Sequence, residues 1–379
     1  MKIKVCFLVL LVAFVLGAAW LFDNRSYHTE QSNETSVDKV TTAVSQAPDT
    51  TTQSKENKIE LPSFDEEVVL CSAGALAVYR GELSILEGKA YGGCYKPLVF
   101  EYKLYDENGV LYYSESADLA NAVQVTLDAG KTYVEIHNLK TATTYYYSVV
   151  VGKETYSGSF KTAASTRFIQ VEDLYNARDI GGYTTLDGKT IKQGMIIRGT
   201  EIDGLKEEEY YLTSEAIAYM MDTFGFVYEM DLRAKSLLPE AYESRFGKDV
   251  RHQIYTAPAY GSIFDERYKE SVKRIFSDLA NSDNYPMYLH CTYGADRTGT
   301  IVFLLYGLLN MSEEEMIREY QRSGFFSSKF ATSEQYGEII SGVESYEGKT
   351  LQEKIISFMI NDIGMTQEQI DSIRNILLQ

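Results

Sequence analysis

The residues whose types and spacing could do chemistry together lie in Tyr288-Leu-His-Cys-Thr-Tyr-Gly-Ala-Asp-Arg-Thr-Gly299, between a short apolar run and the apolar stretch Thr300 to Asn310. Five residues separate Cys291 from Arg297, so a thiol sits at the floor of a loop that runs into a helix. The helix N-terminus, the loop amides and Arg297 favour both a thiolate and a phosphate at one spot. Arg297 offers a planar fork for two phosphoryl oxygens, which a lysine could not match. The backbone N–H groups of Thr292, Tyr293, Gly294 and Ala295, with the Thr298 hydroxyl, form the expected phosphate cradle. Gly294 supplies the conformational freedom the loop needs. Thr298 is placed to hydrogen-bond the cysteine sulfur when it leaves, and His290 to order the loop rather than to transfer protons.

A general acid must protonate the leaving oxygen and then activate water. Asp296, inside the loop, is favoured by proximity. Asp265, in Gly261-Ser-Ile-Phe-Asp-Glu266, is the competitor. Asp231 and Arg233 also lie at a strand end, where tying loops together through buried ion pairs is the plainer role. No metal or cofactor is required, because Arg297 and the amides supply the positive field.

The stretch from His290 to Gly299 is similar to the signature loop of the cysteine-dependent protein tyrosine phosphatases, and its form resembles a bacterial branch. A second element of that branch stands upstream, Asn176-Ala-Arg-Asp179-Ile-Gly-Gly-Tyr183. The resemblance implies phosphomonoester hydrolysis through a phosphocysteine, with phosphotyrosine as the leading substrate and dual specificity open. It also makes Arg178 and Asp179 pocket-supporting. Relatives often carry lysine where this chain has Ala295, which counts against inositol-phosphate or lipid substrates. That alternative, and a catalytically idle adhesion module, are the rival functions.

These residues need a scaffold. Strand candidates Gly194 to Arg198, Phe226 to Leu232, His252 to Tyr255 and Met287 to His290 alternate with helices capped at Ser312, Thr350 and Thr366, each with Glu or Gln three residues on. This predicts an α/β domain over about 164–379, with a mostly parallel sheet flanked by helices and Cys291 at a strand's carboxyl end. Short alternating runs from 64 to 163, separated by turns such as Glu107-Asn-Gly109, predict an antiparallel β-sandwich. Its last strands, Val134 to Leu139 and Tyr145 through Phe160, resemble a fibronectin type III domain. Cys71 and Cys94 could form a disulfide or remain two buried thiols.

Met1-Lys-Ile-Lys4 followed by the uncharged run Val5 to Phe22 reads as an export signal, either anchor or cleaved peptide. Residues 23–60 have the composition of a flexible tether. Localisation outside the cytoplasm is therefore expected, with any membrane contact made through the N-terminal segment. A formal net charge of −18 over 379 residues argues against nucleic acid and anionic membrane surfaces as partners. The expected partner is a phosphorylated protein or a small phosphomonoester.

Overall fold

The computed structural model describes residues 59–83, 93–327, 329–330 and 332–379. The expected export signal and the tether up to residue 58 lie outside the described residues. Among the described residues no helix is long and apolar enough to cross a membrane.

The first part is built from antiparallel strands. Gly109–Ser114 pairs on one side with Val123–Leu127 and on the other with Thr144–Val151, which pairs in turn with Glu154–Lys161. Two short pairs, Leu98–Glu101 with Tyr133–Ile136 and Ile59–Glu60 with Lys103–Leu104, share one apolar cluster with that sheet. The period of two explains the burial: Tyr145, Tyr147, Val149 and Val151 all point inward, against Phe100, Leu111 and Phe160. Pairing begins at Ile59, inside the stretch expected to be tether, because Ile59 is buried in this core. Val68, within the run of short strands expected from residue 64, makes an isolated bridge with Thr162. An unanticipated helix, Ala73–Tyr79, follows it, capped by Ser72. Its Ala75 and Val78 pack with Cys71 against Phe325 of the C-terminal part. Cys71 and Cys94 are not joined to each other in a disulfide.

The C-terminal part is an α/β layer structure. Its five strands lie in the order Arg251–Ile254, Tyr228–Asp231, Met287–His290, Ile196–Gly199, Arg178–Asp179. The first four are parallel and the last is antiparallel. Met287–His290 is central and buried at every residue, so its carboxyl end opens where two neighbouring strand ends can reach it. Helix Asp296–Leu308 leaves from there, buried at every residue from Thr298 to Leu308, as expected of a helix apolar all round.

Ser312, Thr350 and Thr366 cap their helices as anticipated. The reciprocal bond completes the box only at the last of these three, because Glu315 turns to Arg318 and Arg322, and Glu353 to the Lys349 N–H. A second complete box, Thr332 with Gln335, starts helix Ser333–Val343.

Polar contacts join the two parts. Asn138 donates to the Gln170 carbonyl and accepts the Gln170 N–H, at 2.9 and 2.8 Å, and Arg167 donates to the Asn138 carbonyl at 2.7 Å. Gln193 accepts the Thr141 N–H at 3.0 Å and donates back to its carbonyl at 2.8 Å.

Candidate active site

The loop between strand Met287–His290 and helix Asp296–Leu308 is held by its carbonyls. The Cys291 carbonyl contacts His290 Nδ1 at 3.3 Å, Thr292 O accepts from the Glu201 N–H at 3.0 Å, and Tyr293 O from Asn176 Nδ2 at 3.0 Å. Gly294 O accepts from Arg198 Nη2 at 2.7 Å and Ala295 O from the Gly299 N–H at 2.7 Å. In a trans peptide the next N–H points opposite to the carbonyl. The carbonyls of Cys291 to Gly294 are held in this way by His290, Glu201, Asn176 and Arg198, which turns the N–H groups of Thr292 to Ala295 to the opposite side, while the Ala295 carbonyl makes the first bond of the helix. Gly294 has a φ of +62°, and a Cβ there would lie 2.3 Å from the Gly199 carbonyl oxygen, so only glycine fits.

A buried charge cluster stands behind this loop. Glu319, 1% exposed, accepts from Arg178 Nε at 2.6 Å and from Arg198 Nη1 at 3.1 Å. Arg178 Nη1 donates to Asn176 Oδ1 at 2.7 Å, which orients the amide that reaches Tyr293. Burial and the nearby Arg178 charge pull the Arg198 pKa down to about 10. Arg178 is thus one step removed from the loop. Asp179, 0% exposed, faces away from it, binding Arg167 at 2.8 Å and the N–H groups of Gly181 and Gly194 at 2.8 and 2.6 Å. Arg198 stood out in the sequence as a polar residue closing a strand candidate, but its hold on Gly294 could not be read there. Asn176 was legible as the first residue of the upstream element; Glu201 and Glu319 carry no local signal.

Cys291 is 1% exposed at the base of the loop. Arg297 is half-buried and donates to two neutral oxygens, the Leu232 carbonyl at 3.4 Å and Thr292 Oγ1 at 3.3 Å. Thr298 Oγ1 is buried with no hydrogen-bond partner among the described residues. His290 is fully buried and contacts Glu229 Oε1 at 2.9 Å. Burial alone would lower its pKa, but the charge of Asp231 and the bond to Glu229 outweigh it and raise the value. A protonated ring donates from both nitrogens, to Glu229 and to the Cys291 carbonyl.

The two candidate acids are placed differently. Asp296 is half-buried in the first turn of the helix and accepts a hydrogen bond from the Tyr260 hydroxyl. Asp265 is exposed, following the turn Tyr260–Phe264, and pairs with Arg267 at 2.9 Å. Arg233 is enclosed by Glu201, Asp203 and Asp231 at 2.7 to 2.8 Å, the loop-tying role. Burial would raise the Asp231 pKa, but His290 and Arg233 outweigh it and hold it well below the carboxylate range. Aromatic rings extend outward from the loop. Tyr293 lies 5.3 Å from Phe330 and 6.2 Å from Tyr210, and Tyr175 lies 5.3 Å from Tyr210 and 5.9 Å from Phe326.

A buried central strand that leads through a turn bearing a thiol into a buried helix is the arrangement of a cysteine-phosphatase domain. Residues 169–379 match the tyrosine phosphatase family, and the chain belongs to that family. A relative from Cupriavidus necator, named provisionally as a tyrosine-protein phosphatase, is 24% identical over 185 residues, 42% of this chain. The match spans 64% of that relative's length, just under two thirds. Among solved structures, the chain is similar to the core catalytic domain of the PP-IP phosphatase SIW14 from S. cerevisiae in complex with citrate. The TM-score is 0.30 at 15% identity, covering 52% of this chain and 92% of that one. A second structure of the Siw14 catalytic core gives 0.29 at 16%, covering 52% and 95%.

Proposed function

We propose that the protein hydrolyses phosphomonoesters through a phosphocysteine intermediate, with protein phosphotyrosine as the leading substrate. The observation that carries this reading is the set of four loop carbonyls, Cys291 to Gly294, held by His290, Glu201, Asn176 and Arg198, which turns the following N–H groups to the other side of a loop that begins at Cys291 and leads to Arg297. The Cys291 thiolate attacks phosphorus, and the bond from phosphorus to the ester oxygen breaks as Asp296 gives that oxygen its proton. Asp296, now a carboxylate, takes a proton from water as the water oxygen attacks the phosphocysteine. The sulfur then leaves as thiolate, with the Thr298 hydroxyl available to it. Arg297 and the amides hold the equatorial oxygens throughout.

Two features favour an aryl monophosphate over a polyphosphate. Arg178, Arg198 and Arg233 are already paired with carboxylates, which leaves Arg297 to meet the ligand. The rings of Tyr293, Phe330, Tyr210, Phe326 and Tyr175 begin on the loop itself and offer a surface for an aromatic ester. The N-terminal strands support a fibronectin type III-like sandwich ahead of the catalytic domain, and Val5 to Phe22 supports export, with the catalytic domain outside the cytoplasm.

The test is a panel of phosphotyrosine peptide, phosphoserine peptide and inositol phosphates with wild type and Cys291→Ser. Highest kcat/KM on the phosphotyrosine peptide, absent in the variant, is expected. A preference for inositol phosphates would overturn the substrate assignment, and activity retained by the variant would overturn the mechanism.

A further inference from the structure

We propose that Tyr260 is a positioning residue for the general acid, holding the Asp296 carboxyl by a hydrogen bond whose direction is dictated by Gln335. This rests on the reading of Asp296 as proton donor given above.

Tyr260 opens the turn Tyr260–Phe264 with a φ of +52°, a left-handed conformation unfavourable for a bulky side chain. Both ends of the residue grip the helix that carries Asp296. Its backbone N–H donates to Thr300 Oγ1 at 2.9 Å, and that hydroxyl donates to the Asp296 carbonyl at 2.9 Å. Its phenol donates to Asp296 Oδ1. The turn is in turn fastened to helix Ser333–Val343, where the Gly261 N–H meets Glu338 Oε2 at 2.9 Å and the Phe264 ring lies against Gly342.

A phenol can donate or accept, and the capping box decides which. Gln335 Oε1 accepts the Thr332 N–H at 2.9 Å, and an N–H can be met only by the amide oxygen. The Gln335 amide nitrogen is therefore the atom 2.9 Å from the Tyr260 oxygen. That oxygen receives an N–H, and its single proton is left for Asp296. Burial first, and then the bond to Asp296, raise the Tyr260 pKa, so the phenol stays a donor. One oxygen of Asp296 is thereby engaged, and the other is left to carry the proton to the leaving group.

The experiment measures kcat and KM of the full chain on phenyl phosphate, a poor leaving group, and para-nitrophenyl phosphate, a better one. Asp296→Asn tests the underlying reading and should slow phenyl phosphate far more than the nitrophenyl ester. Tyr260→Phe should lower kcat on phenyl phosphate roughly tenfold, with the nitrophenyl ester within about threefold and KM nearly unchanged. Gln335→Glu keeps Tyr260 and the capping oxygen but replaces the donor by an acceptor that competes for the phenol proton. It should show the same selectivity to a smaller degree. If Asp296→Asn is selective while Tyr260→Phe and Gln335→Glu slow both esters equally or neither, Tyr260 is only a structural brace and the proposal is overturned. If Asp296→Asn is itself unselective, the reading of Asp296 falls and the positioning role falls with it.

Discussion

Replacing Glu319 by glutamine should damage both stability and turnover, by different routes. The carboxylate is the counter-ion of two arginines, Arg178 at 1% and Arg198 at 0% exposure. Glutamine keeps the shape and removes the charge, which leaves two guanidinium groups buried without compensation. Breaking a buried pair in this way costs about 3–5 kcal/mol. For a domain of this size that is a melting-temperature loss of roughly 6–20 °C. The same arginines hold the Gly294 carbonyl directly and the Tyr293 carbonyl through Asn176, so kcat should fall by about 10²-fold for a displacement near 1 Å. Burial alone would raise the Glu319 pKa, but Arg178, Arg198 and Arg322 outweigh it and lower it. A lowered folded-state value means the stabilisation is complete above the unfolded-state pKa and is lost as pH falls through the folded value. Thermal melts of wild type and Glu319→Gln, followed by circular dichroism, should therefore lie far apart at neutral pH and converge on acidification. Coincident melts at neutral pH, or a gap that does not narrow in acid, would refute the reasoning.

Cys291→Ser should lose more than about 10⁴-fold in turnover of para-nitrophenyl phosphate, while its melting curve and its protection by inorganic phosphate stay close to wild type. Arg297→Lys keeps the charge and loses the fork, so kcat should fall roughly 10²–10³-fold; near-normal kcat would remove Arg297 from the transition state. A fragment beginning at residue 164 should fold and hydrolyse the nitrophenyl ester, because the loop, its carbonyl donors and the larger core all lie beyond that point. It should melt below the full chain, since Arg167, Gln170 and Gln193 lose Asn138 and Thr141. A folded fragment without activity would mean that the strands before residue 164 contribute to the site.

What could be read from sequence follows the range of the interactions. The loop was legible because its chemistry is local: thiol, glycine, guanidinium and hydroxyl lie within eight residues of one another. Several of the parallel strands were legible as nearly continuous apolar runs, and three helix starts as caps. The roles of Arg198 and Glu201 in holding the loop were not, because their partners Gly294 and Thr292 lie far along the chain. Glu319 stands in Glu313-Glu-Glu-Met-Ile-Arg-Glu-Tyr320, a stretch that reads as a solvated helix face, yet it is buried against Arg178, separated by 141 residues. Helix Ala73–Tyr79 was missed for the opposite reason. It is too short for periodicity to show, and it is held by contacts with Phe325 that the local sequence does not announce.

The charges around the loop also bear on where its positive field originates. Arg178, Arg198 and Arg233 face Glu319, Glu201, Asp203 and Asp231, three cations against four anions, so these arginines contribute no net positive charge to the cradle. Two of them still act on the loop, directly or through Asn176, by holding a carbonyl in place. A fixed dipole needs no reorganisation when charge develops on the phosphoryl oxygens, and in a site sheltered from water it is worth more than the same donor in solvent. The buried ion pairs are thus converted into amide orientation. In the proposed mechanism an acidic chain can hold a dianion because the attraction would come from oriented N–H groups and Arg297, not from an excess of positive residues.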